Sequence, residues 1–130
     1  MQNSQPSRWI IVALPHSGQR LPASSWFTAL LVGDSQKRIE ELLGKESPGA
    51  NLLKIGHHGS LTSSTPEFLE AVNPQFAVVS AGYYNSFWHP RPEVMRRFAE
   101  RQVRTYRTDL DGAVSFYLDG AKVSAQRVPR

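Results

Sequence analysis

A chain of 130 residues with 40% hydrophobic content holds one globular domain or part of one, and excludes both a disordered polymer and a multidomain protein. It has no cysteine, which excludes disulfides, thiolate zinc sites and a cysteine nucleophile and leaves His, Asp and Glu as the metal ligands. Fifteen Lys and Arg against 11 Asp and Glu give a formal charge of +4, with Arg96, Arg97, Arg101, Arg104 and Arg107 close together; such a cluster favours a polyanion, although a solvated helix face and strand edge explain it more simply.

In chain order, Trp9 to Leu14 and Trp26 to Val32 are β-branched or aromatic runs separated by Pro15, Gly18 and Pro22, which predicts two strands joined as a hairpin by a wide loop. His16 in that loop reads as exposed and incidental. Asp34 or Ser35 caps a helix over Gln36 to Leu43 that places Ile39, Leu42 and Leu43 on one face and stops at Gly44. Leu52 to Ile55 is a short apolar strand of the kind buried on both faces, and its C-terminal end delivers His57 and His58. Thr65-Pro66-Glu67 starts a helix that runs to Val72, with Thr65 as cap and Pro66 in the first turn. Phe76 to Ser80 is the next buried strand. After the loop Gly82 to Arg91, Pro92 opens a helix to Arg101 with Val94, Met95 and Phe98 inward and Arg96, Arg97 and Glu100 mostly outward. Val103 to Tyr106, Ala113 to Leu118 and Lys122 to Val128 read as strands, with Asp119-Gly120 as a tight turn between the last two. No apolar run nears the roughly 20 residues that cross a bilayer, and Met1 to Pro6 lacks a charged n-region and an h-region, so the chain as it stands reads as soluble.

The alternation from Leu30 to Tyr106 predicts an α/β fold, a mixed sheet with packed helices, whose functional groups sit at strand ends. Asp34 follows Ala29-Leu30-Leu31-Val32-Gly33, where a carboxylate serves either as a helix cap or as a metal-bridging ligand. His57-His58-Gly59-Ser60 offers little packing advantage directly after a buried strand, so at least one imidazole is expected to be a ligand, with the other behind it or facing substrate. His89 lies among Tyr83, Tyr84, Phe87 and Trp88, between Pro90 and the rest of the loop; it is either a packed loop histidine or part of the site. Asp34 and the histidine pair should meet at one end of the sheet, within roughly 6 Å.

The same segments carry a resemblance. Leu30 to Asp34, Leu53 to Ser60 with Thr62-Ser63-Ser64, Pro66 to Pro74, Val79 to Gly82, His89-Pro90 and Tyr106 to Asp109 resemble the metallo-β-lactamase-fold domain of ComEC-type competence proteins, the DNA-internalisation channels of bacteria. The resemblance runs from about Trp26 to Gly120 and covers only the second half of such a domain, so residues 1–130 read as a single partial domain. It implies a four-layer αββα sandwich, zinc or manganese, and hydrolysis of phosphodiester or related ester bonds. By the same resemblance Asp34 bridges two metals and His57 or His58 completes one metal's shell; in the complete site His89 with Arg91 is expected to face substrate. The implied partners are the missing N-terminal half and DNA, and relatives are membrane-anchored with this domain outside the bilayer. The family's H-x-H-x-D-H loop is absent, and its His-Pro-His-Pro stands here as His89-Pro90-Arg91-Pro92. The isolated chain is therefore expected to be inactive and to bind no metal tightly. Two further readings compete: a metal-free, truncated α/β binding or structural module with a basic nucleic-acid-facing surface, and a self-contained doubly wound domain whose histidines are incidental.

Overall fold

The structure, a computed structural model, describes residues 12–13, 29–46, 49–118 and 123–128. Its elements run β1 (Val12–Ala13), β2 (Ala29–Leu31), α1 (Lys37–Glu46), β3 (Leu52–Lys54), α2 (Pro66–Val72), β4 (Phe76–Val79), α3 (Pro92–Glu100), β5 (Arg104–Arg107), α4 (Thr108–Asp111), β6 (Ala113–Leu118) and β7 (Val123–Val128). The α/β expectation is borne out, with the strands divided between two sheets. One is all parallel in the order β2-β3-β4-β5; the other, β1-β6-β7, pairs β1 parallel and β7 antiparallel to β6.

Strand periodicity explains why the parallel sheet is buried on both faces. Leu53, Ile55, Ala77 and Val79 point one way, into a core completed by Phe68, Leu69 and Val72 of α2 and Val94 and Phe98 of α3. Leu52, Phe76 and Val78 point the other way, onto Val114 and Phe116 of β6. Phe116 meets Phe76 and Tyr106 edge to face, with centroids 6.2 and 5.5 Å apart. The layers are thus helices, parallel sheet and second sheet. Helix α2 begins as its sequence dictates, with the Thr65 hydroxyl accepting the Phe68 N–H, and ends on Asn73 in a left-handed conformation. Among the described residues no helix is long and apolar enough to cross a membrane.

Several expectations are corrected. Among the described residues the first two strands form no hairpin: β1 pairs with β6 and β2 with β3, in different sheets, while the rest of the two predicted strands, apart from Val32, and the loop between them lie outside the described residues. Neither Asp34 nor Ser35 caps α1, since the first helical acceptor is the Gln36 carbonyl, which takes the Ile39 and Glu40 N–H groups. The helix also continues through Gly44 to Glu46. A Cβ at Gly44 would lie 3.6 Å from the Ala71 Cβ, so this position lies against α2 rather than ending the helix. The buried face is different too. Ile39 and Leu42 are 47% and 54% exposed, only Leu43 packs on the core, and Glu40 is fully buried. Its carboxylate accepts the Ser64 and Thr65 N–H groups at 2.5 and 3.0 Å, a buried acceptor that decides the rotation of the helix. Arg97 does not simply face outward: its Nη1 donates to the Ser63 and Ser64 carbonyls at 3.2 and 3.0 Å. The fifth strand lies at Arg104–Arg107 rather than Val103–Tyr106, and α4 follows it directly. His16 and the Asp119-Gly120 turn lie outside the described residues.

Candidate functional site

The parallel sheet brings the loops after β2, β3, β4 and β5 to one end, where groups on different loops meet. After β2, Gly33 takes φ +56, a left-handed conformation natural to glycine, and places Asp34 at the rim. Its carbonyl accepts the His57 N–H at 3.0 Å, tying the two loops together. After β3, Gly56–Gly59 is one tight turn in which His57 (φ 46) and His58 (φ 54) are both left-handed. Each such non-glycine residue costs roughly 1–2 kcal/mol, so the surroundings must hold the turn. They do so through the Ser63 hydroxyl, which donates to the Gly56 carbonyl at 2.8 Å, and through the Arg91 N–H, which donates to the Gly59 carbonyl at 3.0 Å. Gly59 itself has φ +82, and a Cβ there would sit 2.8 Å from the Pro90 Cα, so the histidine turn and the His89-Pro90 loop touch where no side chain fits.

The His58 ring is fixed by its Nδ1, 2.7 Å from the Ser80 carbonyl beyond β4. A carbonyl only accepts, so Nδ1 carries a proton, and in the neutral ring Nε2 presents its lone pair. That Nε2 lies 3.5 Å from Asp34 Oδ1, with the two side chains 45% and 73% exposed. A lone pair facing a carboxylate oxygen is repulsive, and the arrangement becomes favourable when a cation, either a proton on Nε2 or a metal, stands between them.

His57 makes different contacts. Its Nδ1 is 3.4 Å from the Thr62 hydroxyl, which is 3.0 Å from the Ser60 hydroxyl. Its ring meets His89 edge on, with centroids 5.9 Å apart. His89 is held by Asn85, which accepts the His89 N–H at 3.0 Å and donates Nδ2 to the His89 carbonyl at 2.6 Å. Partial burial pulls the His89 pKa below the ordinary histidine range, and electrostatic interaction with His57, Arg91 and His58 acts in the same direction. Arg91 stands at the N-cap of α3, half-buried. The five residues singled out from sequence therefore gather at one end of the sheet: Asp34 contacts His58, His57 contacts His89, and Arg91 is tied to the histidine turn through its N–H on the Gly59 carbonyl.

Three contributors were not anticipated. Lys54, at the end of β3, is half-buried; desolvation lowers its pKa while the nearby Asp34 raises it. A lysine closing an otherwise apolar strand was the available signal. The Ser80 carbonyl leaves no mark in a sequence, because every residue has one. Glu40 acts at a distance, holding Ser64 and Thr65 and so the segment whose Ser63 pins the histidine turn. Among the described residues, no group of three or more His, Asp or Glu side chains is placed to hold a metal ion.

Fold and site together define an α/β protein with a carboxylate–histidine cluster at the carboxyl ends of its parallel strands. No family model matches the sequence. The chain is 45% identical over 104 residues to Competence protein ComA of Neisseria gonorrhoeae, which covers 76% of the chain and 15% of that protein. It is 35% identical over 94 residues to ComE operon protein 3 of Bacillus subtilis, covering 71% of the chain and 12% of that protein. Recombination protein 2 of Haemophilus influenzae matches at 29% over 102 residues, 77% of the chain and 13% of that protein. The chain thus corresponds to between 12% and 15% of the length of these curated relatives. Over that segment the similarities relate it to a competence-related protein family.

Proposed function

We propose that this chain forms part of the active site of a metallo-β-lactamase-type hydrolase that acts on phosphodiester or related ester bonds in connection with DNA uptake. One observation carries the reading: His58 Nε2, its tautomer set by the Ser80 carbonyl, faces Asp34 Oδ1 at 3.5 Å. Two donors on one tetrahedral zinc, each about 2.0–2.2 Å from the ion, stand roughly 3.4 Å apart, so donor types and spacing fit zinc, with manganese as the alternative. Asp34 and His58 would hold the metal, which supplies Lewis acidity and a water acidified toward neutral pH. The Ser80 carbonyl orients the His58 ring, as outer-sphere acceptors do for ligating histidines. His57 and His89 line the neighbouring surface, and Arg91 would meet a phosphate oxygen of the substrate.

Asp34 and His58 are two ligands, whereas a hydrolytic zinc takes three from protein and keeps one position open. The others would come from the N-terminal half of such a domain, in the same polypeptide or another. On this reading residues 1–130 alone bind metal weakly and turn nothing over. Joining or mixing them with a half that bears an H-x-H-x-D-H loop should produce tight calorimetric metal binding and nuclease activity, both lost with Asp34→Ala. Turnover by the 130 residues alone would overturn the half-site reading. An inert, metal-free complex would favour a second reading, a binding module.

A further inference from the structure

Among the described residues, exposed large apolar side chains concentrate in one loop beside the histidines. Tyr83, Tyr84, Phe87 and Trp88 are 58%, 88%, 70% and 78% exposed. This is a built loop: Asn85 bonds to the backbone at both Gly82 and His89. Within it Tyr83 and Tyr84 meet edge on at 4.2 Å, and Phe87 stacks on His89 at 5.9 Å with planes 27° apart. His89 in turn meets His57, so a run of rings leads from the solvent-facing aromatics to the strand-end cluster. Burying so many rings would repay the water-exposed apolar area, and the question is what covers them.

We infer that this loop is a stacking platform for unpaired nucleobases, which seats a single-stranded polynucleotide beside the Asp34–His58 site. The inference rests on the phosphodiesterase reading for the nature of its ligand and adds which strand form binds and through which residues. Aromatic faces stack on bases of any sequence, but only where those faces are free, and in a duplex neighbouring bases already cover them. The chain's charge of +4 and the position of Arg91 three residues after Trp88 complement a phosphate backbone. A bilayer is the less fitting occupant, because the loop leads through His89 to His57, next in sequence to His58, and the His58 and Asp34 side chains, 45% and 73% exposed, would lose water on insertion.

The test is fluorescence anisotropy with labelled oligothymidylate, a duplex of equal length and an abasic strand of equal length, in EDTA so that no metal contributes. The full 130-residue chain should bind oligothymidylate best and the abasic strand worst. Trp88→Ala and Tyr84→Ala should each weaken oligothymidylate roughly tenfold, leave the abasic strand unaffected and preserve the far-UV spectrum, while Trp88→Phe should retain binding. Equal affinity for the abasic strand, preference for duplex, or unchanged affinity in both alanine variants would overturn the platform. So would loss of partitioning into anionic phosphatidylserine vesicles, or loss of self-association, in the alanine variants without any change in oligothymidylate binding. Base-dependent binding with no hydrolysis by the reconstituted domain would defeat the hydrolase reading alone. Hydrolysis without base-dependent binding would defeat only the platform.

Discussion

Replacing Glu40 by alanine should destabilise the chain by about 3 kcal/mol, although Glu40 touches no residue of the strand-end cluster. Its carboxylate is fully buried and accepts two backbone N–H groups, from Ser64 and Thr65. A buried donor left without an acceptor costs about 1–3 kcal/mol; Ser64 is buried and Thr65 half-buried, so water recovers part of the second loss. Arg97 holds the same segment from α3 through the Ser63 and Ser64 carbonyls and cannot supply an acceptor. For a chain of this length 1 kcal/mol corresponds to about 3–5 °C in Tm, so the midpoint should fall by about 10–15 °C. Glu40→Gln keeps one acceptor but aims an NH2 at the other donor, and should cost about 1–2 kcal/mol. Urea denaturation followed by far-UV circular dichroism at fixed chain concentration measures both, with exposed Glu41→Ala as a control expected within about 0.5 kcal/mol of the parent. A Glu40→Ala chain within about 1 kcal/mol of the parent, or a Glu41→Ala chain damaged equally, would refute the reasoning.

Gly59→Ala should cost roughly 2–5 kcal/mol, combining left-handed strain at φ +82 with the overlap on Pro90, and the same denaturation curves report it; a change under about 1 kcal/mol would show that the loop yields freely. His89 should titrate below the ordinary histidine range in an NMR pH series, with burial as the first cause and electrostatic interaction with His57, Arg91 and His58 as the second. Because its folded-state pKa is depressed, its contribution to stability is complete above the unfolded value of about 6.5 and is lost as pH falls through the folded value; His89→Asn should flatten that acid-side decline.

The strand ends were legible because their signals are local. Leu52 to Ile55 is apolar on both faces, Thr65-Pro66 is a cap followed by a first-turn proline, and a glycine precedes Asp34; each of these implies its structure without reference to distant residues. These local cues also put Asp34 and His57-His58 at one end of the sheet. What could not be read depends on distant partners. In α1, periodicity selects Ile39, Leu42 and Leu43 as the inner face, but Ser64 and Thr65, 24 and 25 residues away, require a buried acceptor and turn Glu40 inward. β1 and β2 look like consecutive hairpin strands, yet their partners are β6 and β3. The distinction between His57 and His58 was equally hidden, since it depends on a main-chain carbonyl at Ser80.

Histidine-resolved nitrogen-15 NMR during a zinc titration of the 130-residue chain tests most directly whether Asp34 and His58 share a cation. His58 should show Nδ1 protonated throughout and a coordination shift at Nε2 alone, weak and saturating only at high zinc, as expected of a site with two ligands. Asp34→Ala should abolish that shift while leaving the Nδ1 proton in place. A zinc shift at Nδ1, a shift that survives Asp34→Ala, or one confined to His57 and His89 would contradict the account.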